Sequence, residues 1–312
     1  MSKYIVTGGA GFIGSNITKR LVGDGHQVKV IDNLITGKRE NLKDLENKIE
    51  FIKGDIRDTE RMKQEFRGFD YVLHQAALPS VPRSVDNPII SNDHNINGTL
   101  SVLTAAREVQ IKRLVYASSS SVYGNSQERE KNEEIPPNPL SPYALTKLAG
   151  EYYCKLFYKL YGLETVILRY FNVFGPFQDP KSEYAAVIPK FITCILKDKP
   201  PIIYGDGRQS RDFTFVENNV QANILACEAK DVSGEIFNIA CNDTKNLLEL
   251  VEIINMALGK SIEPIFKKAR IGDVKHSCAS IKKAEKMLGY RVIDNFETGL
   301  KKSIKWYKER SK

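Results

Sequence analysis

Cysteine is scarce in this 312-residue chain: Cys154, Cys194, Cys227, Cys241 and Cys278 are scattered, and no two form a CxxC pair. That excludes a disulfide framework and a cysteine-based zinc or redox motif, and leaves the thiols as reduced packing residues of a cytoplasmic protein. Histidine is scarcer still, with four. His74, His94 and His276 match no metal-ligand spacing and read as structural, so no metal is expected. No apolar run reaches the ~18 residues needed to span a bilayer, so no membrane association is expected. The first apolar strand begins within a few residues of Met1, and no signal peptide is expected. Internal repeats, low-complexity tracts and long linkers are missing as well. Charge is unbalanced: 46 basic against 38 acidic residues leave +8, with basic clusters such as Lys267-Lys268-Ala269-Arg270 towards the C-terminus. No aromatic-rich RNA-binding signature or zinc module accompanies them, so nucleic acid is not an expected partner. The excess reads as a solvated face, with a few arginines available to an anionic small molecule.

What the chain does have begins at once. Tyr4-Ile5-Val6 runs into Thr7-Gly8-Gly9-Ala10-Gly11-Phe12-Ile13-Gly14, three glycines at GxxGxxG spacing where a strand hands over to a helix. Gly8 permits the tight turn, Gly11 lets backbone approach a ligand, and Gly14 lets the helix pack on the strand, with free N–H groups aimed at a pyrophosphate. A second strand, Gln27-Val28-Lys29-Val30-Ile31-Asp32, ends in an acid about 20 residues on, where the adenosine ribose of a dinucleotide is held. The charge on Asp32 argues for NAD over NADP, because it would repel a 2′-phosphate.

Apolar strands alternate with amphipathic helices through residue 175: Tyr4–Thr7, Val28–Asp32, Ile49–Lys53, Tyr71–Gln75, Leu114–Ser118 and Thr165–Tyr170, with helices notably over Asn92–Glu108 and Ser141–Tyr161. The expected fold is α/β, a doubly wound Rossmann-type parallel sheet covered on both faces. A Pro-rich irregular stretch follows, then a strand and helix (Asp212–Val216, Asn219–Ala229) and a smaller α/β segment. The expected division is a dinucleotide domain over 1–175, with 212–237 returning to it, and a substrate domain from 176–211 and 238–312 over the carboxyl edge of the sheet.

Tyr143-Ala144-Leu145-Thr146-Lys147 is a YxxxK on the second of these helices, and a spacing of four puts both side chains on one face. A lysine cation beside a phenol favours phenolate, which would make Tyr143 a usable base. Ser118-Ser119-Ser120-Ser121 stands at the carboxyl end of the strand Leu114–Ser118, where small hydroxyls can bond a substrate hydroxyl.

With these motifs in order, the chain resembles the extended short-chain dehydrogenase/reductase superfamily, and within it the sugar-nucleotide C4-epimerases. The resemblance runs nearly end to end, through TGGAGFIG, IDNL, GDIRD, HQAA, NINGT, SSSSVYG, SPYALTK, RYFNVFGP, GDGRQSRDF and RIGD. It implies that Gly8, Gly11, Phe12 and Ile13 lie along the NAD pyrophosphate, and that Asp32 holds the ribose with Asn33 nearby. Asp55 and Ile56 would flank the adenine. Gln75, Ala76 and Ala77 would line the cofactor, supported by Asn95. Tyr143 would be the base, Lys147 would bind the nicotinamide ribose and tune Tyr143, Ser119 would assist proton transfer, and Phe171 would touch the nicotinamide. On the substrate side the resemblance implies Asn172, Val187 and Tyr204, a diphosphate clamp of Arg211 and Arg270, Asp273 on a ribose hydroxyl, and Ser80, Arg83, Ser120 and Ser121 near the sugar.

Dehydratases of the superfamily carry an acidic pair beside the catalytic hydroxyl, where this chain has Ser120 and Ser121. That argues for reversible oxidation and inversion rather than elimination. Ser277 falls where the family gates the C2 substituent, and a small residue there admits N-acetyl sugars, although a plain loop serine would look the same. The loop Leu78–Ser84 also resembles that of epimerases preferring N-acetylated substrates. The expected reaction is interconversion of UDP-N-acetylglucosamine and UDP-N-acetylgalactosamine, with activity on the plain UDP-hexoses. The alternatives are a strict UDP-glucose 4-epimerase or another nucleotide-sugar epimerase or dehydratase. A non-catalytic dinucleotide sensor would be expected to lack Tyr143 or Lys147. In the family the helices near 92–108 and 141–161 form a dimer interface, so a homodimer is expected.

Overall fold

The computed structural model describes residues 1–180, 186–268 and 276–310. Seven strands form the central sheet: β1 (Lys3–Thr7), β2 (Gln27–Asp32), β3 (Glu50–Lys53), β4 (Tyr71–His74), β5 (Arg113–Ser119), β6 (Glu164–Tyr170) and β7 (Ile236–Ile239). Their spatial order is β7-β6-β5-β4-β1-β2-β3, and every pairing is parallel. This is the Rossmann-type α/β fold, with the strand order reversing between β1 and β4. The crevice at that reversal, at the carboxyl ends of the strands, is where such sheets bind ligands.

The central strands are apolar along their whole length because both faces are covered. Ile5, Val6, Val72, Leu73, Leu114, Val115, Val166 and Ile167 are all fully buried. On one face α1 (Phe12–Gly23) and α5 (Val216–Glu228) pack on the sheet. On the other lie α2 (Thr59–Phe66), α3 (Gly98–Glu108) and α4 (Pro142–Tyr161). The expected helix over 92–108 divides into a π turn at Asp93–Asn97 and α3. Helix α4 begins where the sequence signals it: Ser141 accepts a hydrogen bond from Ala144 N at 3.1 Å, and Pro142 occupies the first turn.

Between β6 and β7 the chain leaves the sheet and returns through α5. The excursion and the C-terminal segment build a second layer. Ser210–Asp212 pairs antiparallel with Thr244–Asn246 and parallel with His276–Ala279, which in turn pairs parallel with Glu130–Lys131. Asp212 binds this layer together. Its fully buried carboxylate accepts from the N–H groups of Cys241 (2.9 Å) and Ala279 (3.2 Å), and burial pushes its pKa up to about 7 against those bonds. Helices Val187–Leu196, Leu247–Leu258 and Phe296–Arg310 close a separate apolar core around Phe174, Phe213, Phe215 and Phe296. Among the described residues no helix is long and apolar enough to cross a membrane.

Candidate active site

The first glycine turn forms the floor of a cleft at the strand-order reversal. Gly8 has φ +69°, a left-handed conformation that an L side chain resists, and its N–H bonds the Ile31 carbonyl at 2.8 Å. A Cβ on Gly8 would stand 2.7 Å from the backbone of Ala76. One on Gly14 would overlap the Gly8 carbonyl oxygen and lie 2.7 Å from Gly9 Cα. Gly11 caps α1 with no side-chain hydrogen bond, and the first turn carries no acidic residue. The positive helix end is therefore left to a ligand phosphate.

Asp32, at the carboxyl end of β2, lines the same cleft and accepts from Leu34 N (2.8 Å) and Ala10 N (3.0 Å). Burial raises its pKa, and those two bonds oppose the rise. Asn33 and Ile56 line the cleft too. Asp55 lies behind them, ion-paired with Arg57, which holds its carboxyl well below the usual range, and bonded to Asn33 Nδ2 at 3.1 Å. The cradle, the open helix end and the acid fit a dinucleotide. Gly8, Gly11, Phe12 and Ile13 would hold its pyrophosphate and Asp32 its ribose.

The opposite wall is built from β4, β5 and α4. Gln75, Ala76 and Ala77 line the cleft, and Gln75 is fixed by Asn223 (3.0 Å) and the Tyr170 hydroxyl (3.2 Å). Asn95 is buried, and both ends of its amide are used. Its oxygen accepts from Leu78 N (2.7 Å), and its nitrogen donates to Leu78 O and Thr146 Oγ1, each at 3.1 Å. It ties the wall to α4 from behind. His74 is buried between Thr7 Oγ1 (2.7 Å) and Thr99 Oγ1 (3.1 Å), and burial lowers its pKa to about 3, so it is a neutral structural residue. Among the described residues no group of three or more His, Cys, Asp or Glu gathers as a metal site.

Tyr143 and Lys147 both line this cleft from α4. The Tyr143 N–H donates to Ser84 Oγ at 2.9 Å, which seats the helix start. The electrostatics differ from the simple expectation of a lysine-depressed phenol. Burial raises the Tyr143 pKa, and a hydrogen bond with Ser119 is what opposes the rise. Lys147 is directed to the strand instead: its Nζ donates to the Ala117 carbonyl at 2.7 Å. Burial brings Lys147 down to about 8, partly offset by Cys154 and Glu151. Ser119 also accepts from Ser121 N (3.2 Å) and Ser121 Oγ (2.9 Å), with Ser120 and Ser121 in the turn that follows. The Phe171 ring is fully buried beside Tyr123, and the preceding Tyr170 lines the cleft, its hydroxyl held by Gln75 and Asn223.

A second cleft opens in the C-terminal layer and brings together Asn172, Val187, Tyr204 and Arg211. Asn172 has φ +34° and donates to Asp212 O at 3.0 Å, while Arg211 Nη1 donates to Ser210 O at 2.9 Å. Ser277 stands opposite Arg211 in the parallel pairing, but it borders a separate depression, with Asn125 and Ser126, rather than this cleft. Ser80 caps the short helix Val81–Asp86, accepting from Arg83 N at 3.3 Å; Ser80 and Arg83 lie outside the lining of both clefts. Arg270 and Asp273 lie outside the described residues. Sequence reasoning passed over Tyr170, Asp212 and Glu151. An acid one turn beyond Lys147 was the available signal for Glu151.

The fold and cleft define the class of a dinucleotide-dependent enzyme, with a tyrosine and a lysine in the wall of the dinucleotide cleft. Comparison with known proteins narrows that class. Residues 4–240 match the family described as the NAD dependent epimerase/dehydratase family, and the chain belongs to it. A putative UDP-glucose 4-epimerase from Methanocaldococcus jannaschii is 42% identical over 310 residues, spanning 99% of each chain. Among solved structures, a UDP-N-acetylglucosamine 4-epimerase from Methanobrevibacter ruminantium, in complex with UDP-N-acetylmuramic acid, superposes with a TM-score of 0.95 at 41% identity over 99% of each chain. A Thermotoga maritima UDP-glucose 4-epimerase with UDP-glucose gives 0.94 at 35% identity, over 99% of this chain and 100% of its own. The protein is an NAD-dependent isomerase of the 4-epimerase type.

Proposed function

We propose that the protein interconverts UDP-N-acetylglucosamine and UDP-N-acetylgalactosamine by inversion at C4, and also acts on UDP-glucose and UDP-galactose. The observation that carries the reading is Tyr143 and Lys147 together in the wall of the dinucleotide cleft. In the proposed cycle the Tyr143 phenolate, hydrogen-bonded to Ser119, accepts the proton of the C4 hydroxyl. Lys147 would hold the nicotinamide ribose. Bound NAD would supply the hydride acceptor and donor that oxidation and re-reduction at C4 require. Arg211, with Arg270, grips the diphosphate through a guanidinium fork, and Asp273 holds the ribose. The 4-keto sugar turns about this anchor and presents its other face before Tyr143 returns the proton. Ser120 and Ser121 provide no acid for elimination, which favours epimerisation over dehydration.

The N-acetyl preference is supported by Ser277, a small side chain opposite Arg211, and by likeness to a 4-epimerase named for the N-acetylated sugar. The M. jannaschii relative is named for UDP-glucose, which favours activity on both pairs. Incubating the purified protein with each of the four UDP-sugars, without added NAD, tests this. Epimers should form from all four, fastest from the N-acetylated pair, and a strong preference for UDP-glucose would overturn the assignment.

The functional unit proposed is a homodimer, in the reducing cytoplasm that five free thiols suit. Its support is an apolar surface: Leu145, Tyr152, Leu156 and Leu160 of α4 are 46–62% exposed, beside Ile89 at 79%. Apolar side chains of α3 are mostly buried within the chain, so the interface centres on α4 and residues 81–92. Light scattering at micromolar protein should give the mass of two chains, and the mass of one would contradict the dimer.

A further inference from the structure

Ser118, which lines the cleft beside Tyr143 and Lys147, leads back from that wall to the buried Glu151 and Arg169, and the cycle above uses none of these three. Tyr143, Lys147 and Glu151 recur every four residues along α4 and share one face of the helix. Each engages one of three consecutive residues at the end of β5. Lys147 Nζ donates to the Ala117 carbonyl at 2.7 Å and Ser118 Oγ donates to Glu151 Oε1 at 2.5 Å, while Ser119, next along the strand, opposes the rise that burial imposes on the Tyr143 pKa.

Glu151 is held from its far side by Arg169, and each is only 2% exposed. Arg169 donates through a fork, Nε to Oε1 at 2.8 Å and Nη2 to Oε2 at 2.6 Å. Arg169 stands opposite Ser118 in the β5–β6 register, so carboxylate, hydroxyl and guanidinium meet at one level of the sheet. A buried ion pair of this kind contributes little more to stability than apolar residues of the same size would. Its geometry supplies a different use.

We propose that Glu151 is a positioning residue for the epimerisation site. Locked by Arg169, it holds Ser118, and with it the strand end whose Ala117 carbonyl seats Lys147 and whose Ser119 meets Tyr143. The proposal rests on the assignment of Tyr143 as the base. Glu151 touches no reacting atom and acts through the strand. A carboxylate is required because three donor hydrogens converge on it, two from Arg169 and one from Ser118. A glutamine amide would turn an N–H group towards one of those donors.

The test compares Ser118→Ala, Glu151→Gln, the double variant and Tyr143→Phe in the full-length protein, on whichever UDP-hexose pair the wild type epimerises. Each of the first two should lower kcat per folded enzyme by at least about fivefold with KM within about twofold. The double variant should be no worse than the poorer single variant, because both substitutions cut the same link. Ser118→Ala leaves the Glu151–Arg169 pair whole, so it decides alone if Glu151→Gln, which strands the Arg169 cation, fails to fold. A smaller loss of kcat in Ser118→Ala overturns the proposal. So does a loss carried by KM, or losses that multiply in the double variant, since Ser118 would then act on the ligand directly. Retained turnover in Tyr143→Phe removes the base on which the proposal rests. Lost turnover there with an unaffected Ser118→Ala overturns the role of Glu151 alone.

Discussion

Tyr143→Phe is expected to lower turnover by at least about 100-fold, the usual share of general acid–base catalysis, while the protein still purifies with NAD. The substitution removes one oxygen and leaves the ring in the cleft wall. The glycine turn, Asp32 and Gln75, which make up the rest of that cleft, are untouched. The size of the loss follows from the surroundings of the phenol. Burial raises the Tyr143 pKa, and the Ser119 hydrogen bond only partly opposes it. Lys147 is held on the Ala117 carbonyl, and it remains a cation only partly at alkaline pH, with its pKa brought down to about 8. Burial thus works against ionisation of the phenol in the protein alone, and the positive charge of a bound nicotinamide ring would favour phenolate. Two other groups of comparable proton affinity line the cleft, but Lys147 is held on the Ala117 carbonyl and the Tyr170 hydroxyl by Gln75 and Asn223, while His94 is pushed down by burial and Asp32 is bound to backbone N–H groups. Measuring epimer formation and heat-released NAD on the same preparation separates chemistry from cofactor loss. Turnover near the wild-type level with NAD retained would refute Tyr143 as the base.

The large elements were legible because their causes are local. Val166-Ile167-Leu168 reads as a doubly covered strand from its lack of polar alternation, and β6 is where it stands. Ser141-Pro142 reads as a helix start, and Ser141 caps α4. Glu130–Lys131 could not be read, because two charged residues have no strand signal of their own. They become extended by pairing with Cys278–Ala279, well over a hundred residues away. The Tyr170–Phe171 choice was opaque for a similar reason. Both are aromatic and both are buried in the same apolar core, and only the folded arrangement brings the Tyr170 hydroxyl to Gln75 in the cleft wall. YxxxK put Tyr143 and Lys147 on one face but left open where the ammonium would point. The Ala117 carbonyl, presented by a strand distant in sequence, decides that.

Gly14→Ala is expected to cost both stability and cofactor, and Gly11→Ala mainly cofactor, although the two positions belong to one glycine pattern. A methyl group on Gly14 would overlap the Gly8 carbonyl oxygen and crowd Gly9 Cα at 2.7 Å. Those atoms are backbone in a turn that cannot yield freely, since Gly8 already sits at φ +69° with its N–H bonded to Ile31 at 2.8 Å. Helix α1 must therefore move off β1, and overpacking of this kind costs about 1–3 kcal/mol. The same shift carries the helix N-terminus, and the free N–H groups that would face the pyrophosphate, away from the cleft. At Gly11 the corresponding methyl meets only the Gly8 carbonyl oxygen, at 3.2 Å, and a few tenths of an ångström relieve it. Gly11 caps the helix and lines the cleft, so there the methyl projects at the ligand rather than at the fold. Thermal melts of the apo proteins should show Gly14→Ala well below wild type and Gly11→Ala close to it, while both purify with less NAD. A Gly14→Ala protein with wild-type melting temperature and a full complement of NAD would mean that close helix–strand contact at this turn is not what forms the dinucleotide site.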